Sequence, residues 1–243
     1  MKFIIELADV PIEIQHSYGY IRKLCEDYLV TDIQPTFSVS VSEQDIECEM
    51  RMTEYRFSRA ICESTCIHRA VTERLVRYGV ILIHSAVIAV DGIAYAFLAK
   101  SGVGKSTHIR LWRECFGERA VVVNGDKPMF SFANGVLTAH GSPWRGKEGL
   151  GANISMPVGA ICLLERGAVN RIERAAHSDI TAKIFHQVLL PKTAPELDEF
   201  MKLLNRIVSS VPFYKLECNM ERDAALVAYR GMNPNQNLTG ESQ

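Results

Sequence analysis

Tyr95-Ala96-Phe97-Leu98-Ala99-Lys100-Ser101-Gly102-Val103-Gly104-Lys105-Ser106-Thr107 is the stretch on which the fold turns. Its apolar start reads as a buried strand, its glycines as a loop, and Lys105–Phe116 as the helix that follows. A strand, a glycine-bearing loop and a helix N-terminus make the geometry of a Walker A phosphate loop. Gly102 and Gly104 let the backbone fold around phosphates with amides inward, Lys105 places a point charge on the β and γ oxygens, and Ser106 offers a hydroxyl to Mg²⁺. Ser101, Val103 and Thr107 complete the cradle. Ala99 stands where the full G-x-x-x-x-G-K-[ST] pattern has its first glycine. The bland alternative is a chance glycine-rich turn, which the strand before and the helix after disfavour.

Working outward, Val80–Val90 reads as one buried strand, and Asp91-Gly92 joins it to Ile93–Leu98 as a hairpin, because a type I′ turn needs positive φ. The hairpin brings His84, 21 residues before Lys105, toward the loop. A lone strand histidine is commonly a satisfied core or surface residue; beside a phosphate loop it becomes a candidate assisting or orienting group. Val121-Val122-Val123-Asn124-Gly125-Asp126 begins 16 residues after Lys105 and delivers an acid at a strand's carboxyl end, where open α/β sheets place their ligands. Asp126 can hold Mg²⁺ or accept a proton; the alternative is a turn aspartate after Gly125. Lys127 is either a further phosphate contact or a solvated charge.

His140-Gly141-Ser142-Pro143-Trp144-Arg145-Gly146-Lys147-Glu148 has the composition of a loop lying over phosphates, or of a basic surface loop. Arg145 and Lys147 can neutralise charge developing on a transferred group. Trp144 reads as packing rather than as a base-stacking platform.

The remaining strands are expected at Phe3–Leu7, Ile12–Ile14, Thr36–Val41, Met129–Phe132, Val136–Ala139, Val158–Glu165 and Phe213–Glu217. Helices are expected over Ser17–Val30, over Thr53–Tyr78 closed by Gly79, and at Asp179–Leu189, Ala194–Ser210 and Glu221–Tyr229. This divides the chain into a small α+β element over 1–52, a nucleotide-binding body over 53–230 and a polar tail over 231–243.

Composition sets the outer limits. With 47% hydrophobic and 23% charged residues the chain carries material for a sizeable core, and disorder is excluded. Lys plus Arg at 27 against Asp plus Glu at 28 leaves a formal charge of −1, so no global field recruits nucleic acid or an anionic membrane. The longest apolar run, around Gly79–Val90, is broken by His84, so no span is expected; Glu6 sits where a signal peptide would be apolar, and a cytoplasmic location is expected. Seven scattered cysteines without a C-x-x-C pair suit reduced thiols; Cys62 and Cys66, four apart, read as buried thiols rather than as a zinc pair.

His84, a strand, a glycine turn, a second strand and then Ser101-Gly102-Val103-Gly104-Lys105-Ser106 resemble the catalytic domain of the HPr kinase/phosphorylase family, whose loop arrangement is shared with ATP-type phosphoenolpyruvate carboxykinases. That family ends the following strand in two adjacent acids; this chain has Gly125-Asp126 and keeps the second. Its downstream signature, with core R-G-L-G-I-I-N-V, resembles Glu148-Gly149-Leu150-Gly151-Ala152-Asn153-Ile154, with Gly146 where the family carries a metal-binding Glu and Glu148 as the substitute from a shifted position. The resemblance spans roughly residues 80–165, and the His140–Glu148 segment is closer to the shorter HPr-kinase-like proteins often described as phosphoenolpyruvate carboxykinase-like.

The resemblance implies an α/β fold with an HPr kinase-like core of mixed sheets and flanking helices, and an ATP- and Mg²⁺-dependent kinase acting on a serine or threonine hydroxyl of a small protein or peptide. Asp126 would be base or metal acid, His84 the assisting group, Arg145 or Lys147 the charge stabiliser, and Ser106, Asp126 and Glu148 the Mg²⁺ contacts. HPr-kinase-like proteins oligomerise, so a homo-oligomer is expected, with the alternating strand at Thr36–Val41 as an edge for pairing. The other readings are a non-catalytic nucleotide-binding regulatory module and a phosphoenolpyruvate carboxykinase-like enzyme. No nucleic-acid or membrane partner is expected.

Overall fold

Period-two alternation at the N-terminus folds as an antiparallel hairpin, β1 (Lys2–Leu7) against β2 (Val10–Gln15), turned through Ala8 and Asp9 at positive φ. The computed structural model describes residues 1–52, 56–100 and 102–233, with 177–179 and 181 described by backbone alone. Two short strands, β3 (Leu29–Val30) and β4 (Phe37–Val39), complete a sheet of order β3-β1-β2-β4. The helix expected over Ser17–Val30 is shorter. It forms as α1 (Tyr20–Leu24) and a 3₁₀ turn at Glu26–Tyr28. Ser17 and Tyr18 give their backbone N–H groups to the buried Glu63 carboxylate, at 2.5 and 3.1 Å, and Leu29 and Val30 are drawn into pairing with Ile5 and Ile4.

The single helix expected over Thr53–Tyr78 is also revised. Residues 53–55 lie outside the described residues; on either side stand α2 (Glu43–Met52) and α3 (Arg59–Leu75), with a 3₁₀ turn at Val76–Tyr78 closed by Gly79 at φ 75°. The sequence showed no sign of α2 because it buries a lone apolar residue, Ile46, too little for a helical period. Its start is a capping box: the Asp45 amide donates to Ser42 Oγ at 3.1 Å and Asp45 Oδ2 accepts from the Ser42 amide at 2.8 Å. The amphipathic α3 lays Ile67, Val71 and Leu75 on the inner face of the sheet, against Ile5, Leu7, Ile12 and Ile14.

Beyond Gly79 the chain builds a nine-stranded mixed sheet. Its strands are β5 (Ile81–Leu82), β6 (Ala86–Val90), β7 (Ile93–Leu98), β8 (Ala120–Asn124), β9 (Met129–Ala133), β10 (Val136–His140), β11 (Ser155–Arg166), β12 (Arg171–Arg174) and β13 (Phe213–Cys218). The main path is β5-β9-β10-β11-β7-β6-β8, with β13 joined to β11 and β12. The strand expected over Val80–Val90 is therefore two strands, broken at Ile83–Ser85. Three residues separate β5 from β6, yet the two lie near opposite ends of the path, so the sheet curls back on itself with His84 in the seam. The buried Ser85 hydroxyl donates to the Ile83 carbonyl at 2.9 Å and holds the break.

Two apolar layers flank this sheet. Ile83, Val87, Leu98, Ile161 and Leu163 pack on α5 (His177–Phe185) and α6 (Ala194–Ser210); Ile88, Phe97, Ala160 and Leu216 pack on α4 (Lys105–Phe116) and α7 (Asp223–Met232). Helix α7 runs two residues into the segment expected as a tail; residues 234–243 lie outside the described residues. The short β12 was not expected, because its four residues are mostly charged and exposed. All seven cysteines are free thiols, with Cys25, Cys62 and Cys162 buried. Among the described residues no helix is long and apolar enough to cross a membrane.

Candidate active site

Strands β7, β11 and β13 run parallel, and β6 is antiparallel to both β7 and β8, so the carboxyl ends of β7, β8, β11 and β13 share one sheet edge with the start of β6. That edge carries, in order across the sheet, Asp126 after β8, His84 before β6, the glycine loop after β7, Arg166 at the end of β11 and Cys218 at the end of β13. Topology alone thus gathers residues that are up to 134 apart in sequence.

The loop enters α4 through Gly102 at φ 80° and Gly104 at φ 128°, conformations open to glycine and costly for other residues. A Cβ at either position would meet nothing within 4 Å, so the glycines line open space. Gly104 is the helix N-cap, and among the described residues no side chain caps the first turn and no acid lies in it, which leaves first-turn amides and the positive helix end available to an anion. Ala99 keeps a negative φ, so the chain does not need the glycine that the full pattern has there. Lys105 Nζ donates to the Ala99 carbonyl at 3.0 Å; burial pushes its ammonium below the usual lysine value, while the Asp126 carboxylate pulls the other way. Ser106 is exposed and Thr107 half-buried; Ser101 lies outside the described residues. Arg166 donates to the carbonyls of Gly102 and, at 3.3 Å, Val103, bracing the loop from the neighbouring strand.

His84 and Asp126 meet. His84 Nε2 lies 2.9 Å from Asp126 Oδ1, and Lys127 Nζ lies 3.6 Å from Oδ2. The His84 amide donates to the Gln187 carbonyl at 2.6 Å, which fixes the imidazole's backbone against the segment after α5. Burial raises the Asp126 pKa, but the His84 hydrogen bond and the charges of Lys127, His84 and Lys105 more than offset it, and the carboxyl ends below its ordinary value. Beneath it Asn124 is fully buried: Oδ1 accepts from the Asp126 and Lys127 amides at 2.9 and 2.7 Å, and Nδ2 donates to the Ser142 carbonyl and Oγ at 3.1 Å. An asparagine that makes these four hydrogen bonds to three residues sets the turn carrying Asp126.

The His140–Glu148 segment packs over this turn. The Gly125 amide donates to the Leu150 carbonyl at 2.9 Å and the Ala152 amide to the Val123 carbonyl at 3.2 Å. Trp144 is buried, its indole N–H donating to Ser64 Oγ at 3.2 Å, so it packs as the sequence suggested. Arg145 turns away to the N-terminal element, donating to Asp27 Oδ2 at 2.6 Å. Lys147 and Glu148 are exposed, and among the described residues no hydrogen bond or ion pair joins either of them to Asp126 or Lys105. Nor do three His, Cys, Asp or Glu side chains gather among the described residues as a metal cluster.

Gly146 rests directly on the catalytic candidate. At φ 70°, a Cβ there would stand 2.8 Å from Asp126 Cβ and 3.0 Å from its carboxyl carbon. Gly146→Ala is expected to cost about 1 kcal/mol in backbone strain alone. The same Cβ pushes the Asp126 carboxylate off His84, and a thermal melt reads the combined cost. An unchanged melting temperature would mean that the turn absorbs the added methyl.

Beside the loop lies a cavity of about 460 Å³ whose walls include Thr107, His108, Leu111, Leu164, Asn219 and Met220. His108 is buried, accepts from Trp112 Nε1 at 2.9 Å and leaves Nδ1 without a partner. Asn124, Arg166 and His108 went unnoticed in the sequence, because an asparagine before a glycine, an arginine ending a strand and a histidine within a helix carry no local signal.

No family model and no curated protein matches this sequence. Among solved structures, the Hpr(Ser) kinase/phosphatase from Coxiella burnetii matches over 66% of this chain and 92% of that chain, with 11% identity and a TM-score of 0.37. So loose an overlay fixes no chemistry, and the site's own residues must supply it.

Proposed function

We propose that this chain is an ATP- and Mg²⁺-dependent kinase of HPr-kinase-like architecture that transfers the γ-phosphoryl group to a serine or threonine hydroxyl of a small protein or peptide. The observation that carries this reading is the His84–Asp126 pair, 2.9 Å apart, on the same sheet edge as a helix N-terminus left uncapped behind two positive-φ glycines. Two glycines facing open space, the Lys105 ammonium at the loop and a cavity of nucleoside size beside them fit a nucleotide. Mg²⁺ takes one or two carboxylates plus phosphate oxygens, so an exposed Ser106 hydroxyl and the Asp126 carboxylate fit it. When bound, Mg²⁺ supplies positive charge to the β and γ oxygens.

The chain's own groups divide the work. Amides of Gly102–Thr107 and Lys105 hold the phosphates, and the cavity along Thr107, Leu111 and Leu164 takes the nucleoside. The order across the sheet runs from cavity to loop to His84 and Asp126, and this order supports an acceptor hydroxyl at Asp126. Asp126, held ionised below its usual value, is a weak base; it aims the hydroxyl and steadies charge more than it pulls a proton, which suits a loose phosphoryl transition state. His84 orients its carboxylate. Lys127 and the exposed Lys147 supply positive charge at the rim, and the exposed Glu148 is the second acid assigned to the metal.

Calorimetry with ATP·Mg²⁺, paired with a thermal melt, is the test. A ligand binding only the folded state at 100 times its Kd adds about 2.7 kcal/mol of apparent stability. Saturable binding with ADP release is the expected result. No binding and no melt shift at millimolar nucleotide overturns the reading, and binding without ADP release, to water or to small proteins from the same cell, makes the chain a nucleotide-binding module instead.

A further inference from the structure

We propose that the Asp27–Tyr28 turn of the N-terminal element is a positioning device that holds the His140–Asn153 segment over Asp126, so that residues remote from the chemistry set its rate. In its kinetic consequence this rests on the kinase reading; in its structural consequence it does not.

Four contacts converge on that turn from across the molecule. Arg145 Nη2 donates to Asp27 Oδ2 at 2.6 Å, and the same guanidinium lies 5.8 Å from the Tyr28 ring centroid. Asn153 Nδ2 donates to the Asp27 carbonyl at 2.8 Å, and the Tyr28 hydroxyl donates to the Ala152 carbonyl at 3.2 Å. Tyr28 is itself anchored, buried in the core that α3 shares with the N-terminal sheet. The turn therefore offers a fixed surface.

What it grips is the segment that touches Asp126. Arg145 and Ala152 bracket Gly146, which rests on the Asp126 side chain, and Leu150, whose carbonyl accepts the Gly125 amide. The Arg145 stem also packs against Gly151, where a Cβ would lie 3.3 Å from Arg145 Cγ and Cδ. Among the described residues Arg145 Nε is buried without a partner, so its direction is imposed by Asp27 and Tyr28 and not by saturation of its own donors. One residue earlier, Trp144 is pinned to Ser64 on α3, the helix that shares a core with Tyr28, and so holds the same segment.

Asp27 is the residue with which to separate positioning from folding. Its side chain is 61% exposed, and exposed ion pairs contribute little to stability, so removing it should leave the melting temperature within a few degrees of wild type. The catalytic carboxylate, by contrast, is sensitive to displacement of its cover. Asp27→Ala is expected to lower kcat for ATP hydrolysis about 10-fold, with ATP affinity from calorimetry changed less than about 2-fold, because the glycine loop is not gripped by the turn. Arg145→Ala should show the same loss, the double variant no further loss, and Asp27→Glu should recover most of it.

Amide hydrogen exchange supplies the arm independent of function. Faster exchange at Gly125 and Ala152 in Asp27→Ala, without faster exchange in α3, is the expected result. Unchanged exchange there, or additive losses in the double variant, overturns the proposal. If the wild-type chain hydrolyses no ATP, the kinase reading falls and the exchange experiment alone decides whether the turn holds the segment.

Discussion

Asp126→Asn is expected to lower turnover by a factor on the order of 10² or more while the chain still retains ATP. The amide keeps the shape of the carboxylate but loses one negative charge, and its nitrogen cannot accept from His84 or Lys127, which lie 2.9 and 3.6 Å from the two oxygens. What disappears is the aim on the acceptor hydroxyl and one metal contact, both needed most in the transition state. Lys105→Ala should behave differently. Its ammonium would touch phosphate in ground and transition states alike, so ATP affinity and turnover both fall. The two variants are compared by calorimetry and by ADP release, with slow hydrolysis to water standing in for an acceptor. Full turnover in Asp126→Asn would remove the acid from the mechanism, and Glu148, the exposed second acid, would be the next carboxylate to substitute.

The second large effect is on stability in acid. Burial pushes the imidazoles of His68 and His108 down to about 3, helped at His68 by the positive charges of Lys127 and Arg69. Among the described residues each has a ring nitrogen buried without a partner, Nε2 in His68 and Nδ1 in His108, so neither site stabilises an added proton. In the unfolded chain both titrate near 6.5. Between pH 6.5 and 3 the unfolded state therefore binds up to two more protons than the folded state, and stability falls as pH falls, by about 1.4 kcal/mol per pH unit for each group. From pH 6.5 to 4.5 the two together remove about 4–5 kcal/mol, against a total margin of 5–15 kcal/mol typical of folded domains. Asp126, whose carboxyl lies below its ordinary value, adds a loss in the same direction only below about pH 4. Urea denaturation midpoints from pH 7 to 4.5 read the slope, and His68→Gln should reduce it by about half. A flat midpoint across that range would mean that both rings are protonated in the folded protein.

Local signals carried the reading furthest where structure is local. Lys105–Phe116 and Ala194–Ser210 form helices with the bounds their periodicity and flanking residues mark, and Asp91-Gly92 turns the hairpin at φ 52° and 81°. The glycine loop was legible because strand, glycines, lysine and helix lie within thirteen consecutive residues. Asp126 was legible from its place at the end of an apolar strand. Where signals failed, a distant segment competed: Glu63 took the amides that would have begun a longer first helix, and the curl of the sheet broke Val80–Val90 in two.

By itself, then, the amino-acid sequence determined the strand–loop–helix unit, the acid that follows it and the alternation of helices and strands. Each of these depends on backbone preference and apolar spacing over a few turns. Tertiary structure alone decided that His84 sits in a seam against Asp126, that Asn124 ties that acid to Ser142, that Arg166 braces the loop, and that Arg145 serves Asp27 on the N-terminal element instead of the glycine loop. These pairings join residues from 18 to 118 apart. A side chain's partner at such separations is set by how the sheet curls and which cores must be shared. Propensity along the chain holds no record of that choice.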